Sequence, residues 1–139
     1  MLTPVQLDPE GAAPADRRDR RLVLIVDDCA DTRTLYSEYL DLAGFAVKEA
    51  SDGIGAFDVA RAALPDVVVM DLGLPGMDGR DVLRQLKADP RTRGIPVVVV
   101  SGHPPSIAAA EPAPWEAYVL KPCVPDDLLD TIGRVLPPR

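Results

Sequence analysis

Asp66-Val-Val-Val-Met-Asp71-Leu-Gly-Leu-Pro-Gly-Met-Asp-Gly79 is the stretch that decides how this chain folds. Its run from Val67 to Met70 is continuously apolar, mostly β-branched and too short for a helix. Pro65 brackets it on one side and a Gly/Pro-rich turn on the other. A strand apolar on both faces belongs to a parallel sheet covered on both sides. Asp71 stands at its carboxyl end, the edge of an open α/β sheet where ligands and chemistry gather.

Working outward, the same grammar repeats. Leu22–Val26 reads as a first buried strand ending in Asp27-Asp28, and Ile95–Val100 as a fourth ending in Ser101-Gly102. Ala117–Leu120 reads as a fifth, ending in Lys121-Pro122. Phe45–Ala50 is a second strand whose Lys48 and Glu49 suit a sheet edge. Amphipathic segments lie between. Asp31 and Thr32 are candidate N-caps before Leu35, Tyr36, Tyr39, Leu40 and Ala43 at helical spacing, and Gly44 is a stop. Asp52-Gly53 opens a helix with Ala56, Phe57, Ala60 and Leu64 on one face. Asp78 or Gly79 opens another with Val82, Leu83 and Leu86, closed by Pro90. Pro125 starts the last, with Leu128, Leu129, Ile132 and Leu136 facing inward. Pro104, Pro105, Pro112 and Pro114 leave space only for a short helix around Ser106 to Glu111, so the fourth helix is expected to be short or irregular. Five βα units in about 120 residues predict an α/β, flavodoxin-like doubly wound (βα)5 fold with a five-stranded parallel sheet, order 2-1-3-4-5, rather than an eight-stranded barrel.

Composition sets the limits. The 139 residues fit one domain, expected over 21–139, behind a disordered or loosely docked tail over 1–20 that holds Pro4, Pro9, Gly11 and Pro14. Arg17, Arg18, Arg20 and Arg21 read as a solvated lead-in, with a basic handle for an acidic partner as the alternative. A net charge of −7 disfavours nucleic acid. No apolar run approaches the roughly 20 residues of a membrane span, and no secretory signal is visible. Two cysteines fit a reducing cytoplasm better than a disulfide framework. Cys29 and Cys123 therefore read as inert thiols, with a redox link between them as the alternative, and Trp115 as a packing residue, with a partner-facing aromatic as the alternative.

Four strand ends thus carry chemistry: Asp27 with Asp28, Asp71, Ser101 and Lys121. Crowded carboxylates repel unless a cation lies among them, and oxygen ligands without His or Cys select a hard ion such as Mg²⁺. The Lys121 ammonium and the Ser101 hydroxyl suit an anionic oxygen. Together they describe a site for phosphoryl transfer, where a protein mainly positions groups and neutralises charge.

Asp27-Asp28, Asp71-x-x-Leu-Pro75 with Asp78-Gly79, Ser101-Gly102, Tyr118 and Lys121-Pro122, in that order, resemble the receiver domain of two-component response regulators from about Arg21 to Leu136. The resemblance implies that Asp71 takes a phosphoryl group from phosphohistidine of a sensor histidine kinase or phosphotransfer protein, or from a small donor. It implies that Asp27, Asp28, Asp71 and the backbone carbonyl of Gly73 hold Mg²⁺, and that Ser101 and Lys121 contact the aspartyl phosphate. Tyr118 would swing inward as Ser101 moves, and the Lys121–Pro122 bond would be cis. The resemblance also implies that His103, the sole histidine, and Gly73 border the path of the hydrolytic water, which makes them candidates for tuning phosphate lifetime; an ordinary exposed loop histidine is the alternative.

The expectation is a stand-alone, cytoplasmic receiver, monomeric or weakly dimeric. It would signal to an unidentified protein target as a switch, phosphorelay shuttle or phosphate sink. It would catalyse its own phosphorylation and dephosphorylation without being a turnover enzyme. A phosphorylation-independent interaction module is the alternative. An aspartyl-phosphate phosphohydrolase usually has a second acid where Gly73 stands, and Asp27-Asp28-Cys29-Ala30-Asp31 would repel a bound nucleotide.

Overall fold

The computed structural model describes residues 20–74, 78–103 and 115–138. Most of the N-terminal stretch read as a tail, and the short helix expected around Ser106 to Glu111, lie outside the described residues. Within them run β1 (Leu22–Val26), α1 (Ala30–Leu42), β2 (Ala46–Ala50), α2 (Gly53–Ala63), β3 (Val67–Asp71), α3 (Gly79–Ala88), β4 (Val97–Ser101), β5 (Ala117–Leu120) and α4 (Pro125–Val135).

The five strands form one parallel sheet in the order β2-β1-β3-β4-β5. Alternation along each strand sends side chains to two cores. Leu24, Val26, Val68, Met70, Val97 and Val99 meet Ala56 and Ala60 of α2 and Val82, Leu83 and Leu86 of α3. Val23, Ile25, Val67, Val69, Val98 and Val100 meet Tyr36 and Leu40 of α1 and Leu128 and Ile132 of α4. Both faces being covered, the central strands are apolar up to their last residues, Asp71 in β3 and Ser101 in β4, as the run Val67–Met70 foretold. β2 at the edge keeps Lys48 and Glu49 exposed. Each fully buried Val or Leu contributes about 1.5–3 kcal/mol, so this double layer dominates the favourable side of folding.

Four local expectations are corrected. α1 is capped at Cys29, without a side-chain cap, and Asp31 falls in its first turn, where a carboxylate favours the positive end of the helix dipole. Only Tyr36 and Leu40 of its apolar set are buried; Leu35 and Tyr39 are exposed. The flanking positions belong to Arg33 and Ser37, which turn toward Glu49 of β2 at 3.1 and 3.0 Å. Leu64 is not on the inward face of α2: it is the C-cap, left-handed at φ 49°, and exposed. Pro65 disfavours the right-handed helical conformation at the residue before it. β4 begins at Val97 rather than Ile95, because Pro96 has no N–H for the ladder and offers only its carbonyl, to the Val68 N–H at 3.0 Å.

The end of α1 follows the sequence. Phe45 N–H bonds the Leu40 carbonyl and Gly44 N–H the Asp41 carbonyl, a Schellman closure with Gly44 at φ 99°.

Candidate functional site

Register aligns the carboxyl ends of the strands. Asp71 pairs across from Val100, and Ser101 from Leu120, so Asp71, Ser101 and Lys121 gather on one edge, beside the end of β1. Asp27 and Asp71 are buried, whereas Asp28 is exposed.

Each side chain is held by its own backbone surroundings. Asp27 Oδ1 accepts from the Cys29 N–H at 2.8 Å, and Asp71 Oδ1 from the Gly73 N–H at 2.9 Å. These two-residue turns aim each carboxylate back over its strand end. The Ser101 hydroxyl, Oγ, accepts from the His103 N–H at 3.2 Å, and the Ser101 carbonyl from the Lys121 N–H at 2.7 Å. The Lys121–Pro122 peptide is cis. Lys121 Nζ lies 3.2 Å from Asp71 Oδ2 and 3.8 Å from Asp27 Oδ2.

Carboxylate oxygens of Asp27, Asp28 and Asp71 lie within 4.8 Å of one another. At that separation two unit charges repel by about 3 kcal/mol for an effective dielectric constant near 20. Burial raises the Asp27 pKa, and Asp71 and Asp28 add to it, against the lowering by its hydrogen bond from Cys29. Burial works against the Lys121 ammonium, but the carboxylates of Asp71 and Asp27 outweigh it and hold its pKa above the ordinary lysine value. Three carboxylates and one ammonium leave two negative charges, the complement of one divalent cation. The donor set is oxygen alone, so the residues fit a hard ion such as Mg²⁺. The cluster has the composition for holding a phosphoryl group: metal ligands, an ammonium and a hydroxyl around a carboxylate.

The other residues singled out in the sequence take distinct places. Tyr118 is half-buried; its hydroxyl donates to the His103 carbonyl at 2.6 Å, and its ring meets Trp115 at a centroid distance of 5.1 Å. His103 contributes its backbone to this arrangement, and the residue is exposed. Cys29 and Cys123 are free thiols.

One residue at the site escaped the sequence reading. Arg33 Nη1 donates to the Asp27 carbonyl at 2.7 Å while its Nε pairs with Glu49 at 3.1 Å, tying α1 and β2 to the strand end that carries Asp27. A lone arginine in the second turn of a helix gives no such signal.

Gly79 makes the α3 side of the site possible. A Cβ there would stand 2.8 Å from Leu72 Cα and 3.0 Å from the Asp71 carbonyl oxygen. Only a glycine lets α3 begin so close to the residues that follow β3.

The family model for the response regulator receiver domain matches residues 23–133. Response regulator PleD of Caulobacter vibrioides is 42% identical over 79 residues, which are 57% of this chain and 17% of that protein. Sporulation initiation phosphotransferase F of Bacillus subtilis is 28% identical over 115 residues, 83% of this chain and 93% of the relative. Among solved structures, the chemotaxis response regulator CheY4 of Vibrio cholerae superposes with a TM-score of 0.73 at 28% identity, covering 84% of this chain and 99% of the other. Among the described residues, no helix is long and apolar enough to cross a membrane.

Proposed function

Since the chain belongs to the response regulator receiver domain family, we propose that Asp71 is its phosphoacceptor. The observation that carries this reading is the position of Asp71: buried, 3.2 Å from the Lys121 ammonium, and within a cluster of three carboxylates. The Asp71 carboxylate attacks phosphorus, the N–P bond of a phosphohistidine breaks, and the imidazole leaves with that electron pair. The product is an aspartyl phosphate that water later hydrolyses.

Asp27, Asp28, Asp71 and the Gly73 carbonyl would hold Mg²⁺, which when bound supplies charge neutralisation for the incoming phosphoryl oxygens. Lys121 pairs with one of those oxygens and the Ser101 hydroxyl donates to another. Tyr118 is the aromatic that responds when Ser101 turns toward the phosphate. Gly73 and His103 flank the approach of water and set how long the phosphate lasts.

The donor is a sensor histidine kinase or a histidine phosphotransfer protein in the cytoplasm. Output is a phosphorylation-dependent contact with another protein, as a switch, phosphorelay shuttle or phosphate sink. The extensive match to a Bacillus protein named as a phosphotransferase supports exchange of the phosphoryl group between proteins. The chemistry is self-directed and does not turn over an external metabolite.

The test is incubation with Mg²⁺ and a small acyl phosphate, read by intact-mass measurement. The expected result is a gain of one phosphoryl group that Asp71→Asn and chelation both abolish. A gain that persists in Asp71→Asn moves the acceptor elsewhere. No gain in the parent chain leaves a phosphorylation-independent interaction module.

A further inference from the structure

We propose that the outward ridge of α3 is a docking surface for an acidic polypeptide, a helix with carboxylates three to four residues apart. The proposal stands apart from the phosphoacceptor reading.

Arg80, Arg84 and Lys87 recur at i, i+4 and i+7 along α3, beside its buried face of Val82, Leu83 and Leu86, with Arg80 and Arg84 exposed, and Arg91 continues the spacing into the turn beyond. Arg93 widens the patch, and Arg61 of α2 borders it, paired with Asp89 at 3.3 Å. Of the chain's 15 lysines and arginines, five fall between Arg80 and Arg93, against only Asp81 and Asp89. The chain as a whole carries −7, so the basic character of this face is local and not a reflection of composition.

The partners the arginines of this ridge now have are weak ones: Arg80 stands 3.8 Å from Asp78, Arg91 3.7 Å from Asp89, and Arg84 pairs with Asp81. Lys87 is held more firmly, half-buried, its Nζ donating to the Ile95 carbonyl at 3.1 Å with Glu116 at 3.6 Å, so the arginines carry the surface. Exposed pairs of this kind contribute little and exchange readily for a partner's carboxylates. Four of the five cations on this segment are arginines, whose planar fork grips a carboxylate through two parallel hydrogen bonds.

Geometry favours a short acidic helix over a nucleic acid. From Arg80 to Lys87 the ridge rises about 10 Å along the helix axis. At its N-terminal end lies the cluster of Asp27, Asp28 and Asp71, since the start of α3 packs on the Asp71 backbone. A continuous phosphate backbone would run from the ridge into that cluster and be repelled. A helix of two to three turns, at about 5.4 Å per turn, meets the ridge alone.

The probe is a fluorescein-labelled, alanine-based helical peptide with glutamates at i, i+4, i+7 and i+11, followed by fluorescence anisotropy at about 50 mM salt. A labelled short DNA duplex is run in parallel. The peptide is expected to bind with an affinity that falls as salt rises. The triple variant Arg80→Gln, Arg84→Gln, Arg91→Gln should lose roughly tenfold or more, while Lys48→Gln, on the far edge of the sheet, should bind as the parent does. Circular dichroism checks that each variant keeps the parent helix content. No peptide binding, equal binding by the triple variant, an equal loss in Lys48→Gln, or tighter binding of the duplex would each overturn the proposal.

Discussion

Lys121 Nζ reaches two buried carboxylates at once, Asp71 Oδ2 at 3.2 Å and Asp27 Oδ2 at 3.8 Å. The ammonium therefore occupies part of the role a metal ion would take in the same cluster, and the two cations compete electrostatically. Lys121→Met removes that competitor. Mg²⁺ affinity measured by titration calorimetry should rise several-fold, while acquisition of a phosphoryl group from a small acyl phosphate should slow by about tenfold or more. Unchanged Mg²⁺ affinity would show that the ammonium and the ion do not share a field.

Asp27 is the strained member of the trio. Burial and the neighbouring Asp71 and Asp28 raise its pKa from 3.8. The folded state thus holds the Asp27 proton more tightly than the unfolded chain does. That contribution to stability is complete below 3.8 and is lost as pH rises through the folded-state value. At neutral pH the metal-free protein carries the cost. Asp27→Asn should raise its thermal midpoint by several degrees, and added Mg²⁺ should stabilise the parent chain but not the variant.

Gly79 links the helix start to the strand end. Gly79→Ala would place a methyl group 2.8 Å from Leu72 Cα, a backbone atom that cannot swing aside. The expected cost in urea unfolding is about 1–3 kcal/mol, even though alanine is the better helix former by up to about 1 kcal/mol. A neutral or stabilising outcome would show that α3 has room to shift.

Leu64 offers the opposite change. Its left-handed conformation, φ 49°, strains a residue with a Cβ, and its side chain is exposed, so little burial is at stake. Leu64→Gly should stabilise by roughly 0.5–1 kcal/mol, whereas Leu64→Ala, which keeps the Cβ, should not. Equal effects of the two substitutions would remove backbone strain as the cause.

The runs Leu22–Val26 and Val67–Met70 announced buried parallel strands because both faces of the sheet are covered, leaving no polar alternation to confuse the pattern. The carboxyl-edge residues were legible for the same reason: Asp27, Asp71, Ser101 and Lys121 are the first polar groups after apolar strands. The misreadings lie where periodicity counts apolar residues without knowing direction. Leu35 and Tyr39 share a helix with Tyr36 and Leu40 but point to solvent, because Arg33 and Ser37 take the positions facing β2. The contacts of Arg33 with Asp27 and of Tyr118 with His103 run to backbone carbonyls, which every residue has and no sequence pattern marks.

Tyr36 shows how a core side chain also braces the site's edge. Its hydroxyl donates to the Cys123 carbonyl at 3.0 Å, two residues beyond Lys121, so α1 holds the loop that presents the ammonium. Burial, reinforced by the surroundings of Cys123, Asp27 and Asp71, pushes its pKa up from 10.0 to about 12. The unfolded chain releases this proton first, so alkali draws the equilibrium toward unfolding. Stability attached to Tyr36 is complete below pH 10.0 and declines as pH rises to about 12. Tyr36→Phe should cost about 1 kcal/mol at neutral pH by leaving the Cys123 carbonyl without its donor, and should flatten the loss of stability between pH 10 and 12. Urea unfolding at pH 7, 10 and 11 separates the two effects. A variant that destabilises equally at all three values would assign the alkaline slope to another group and leave Tyr36 with its hydrogen bond alone.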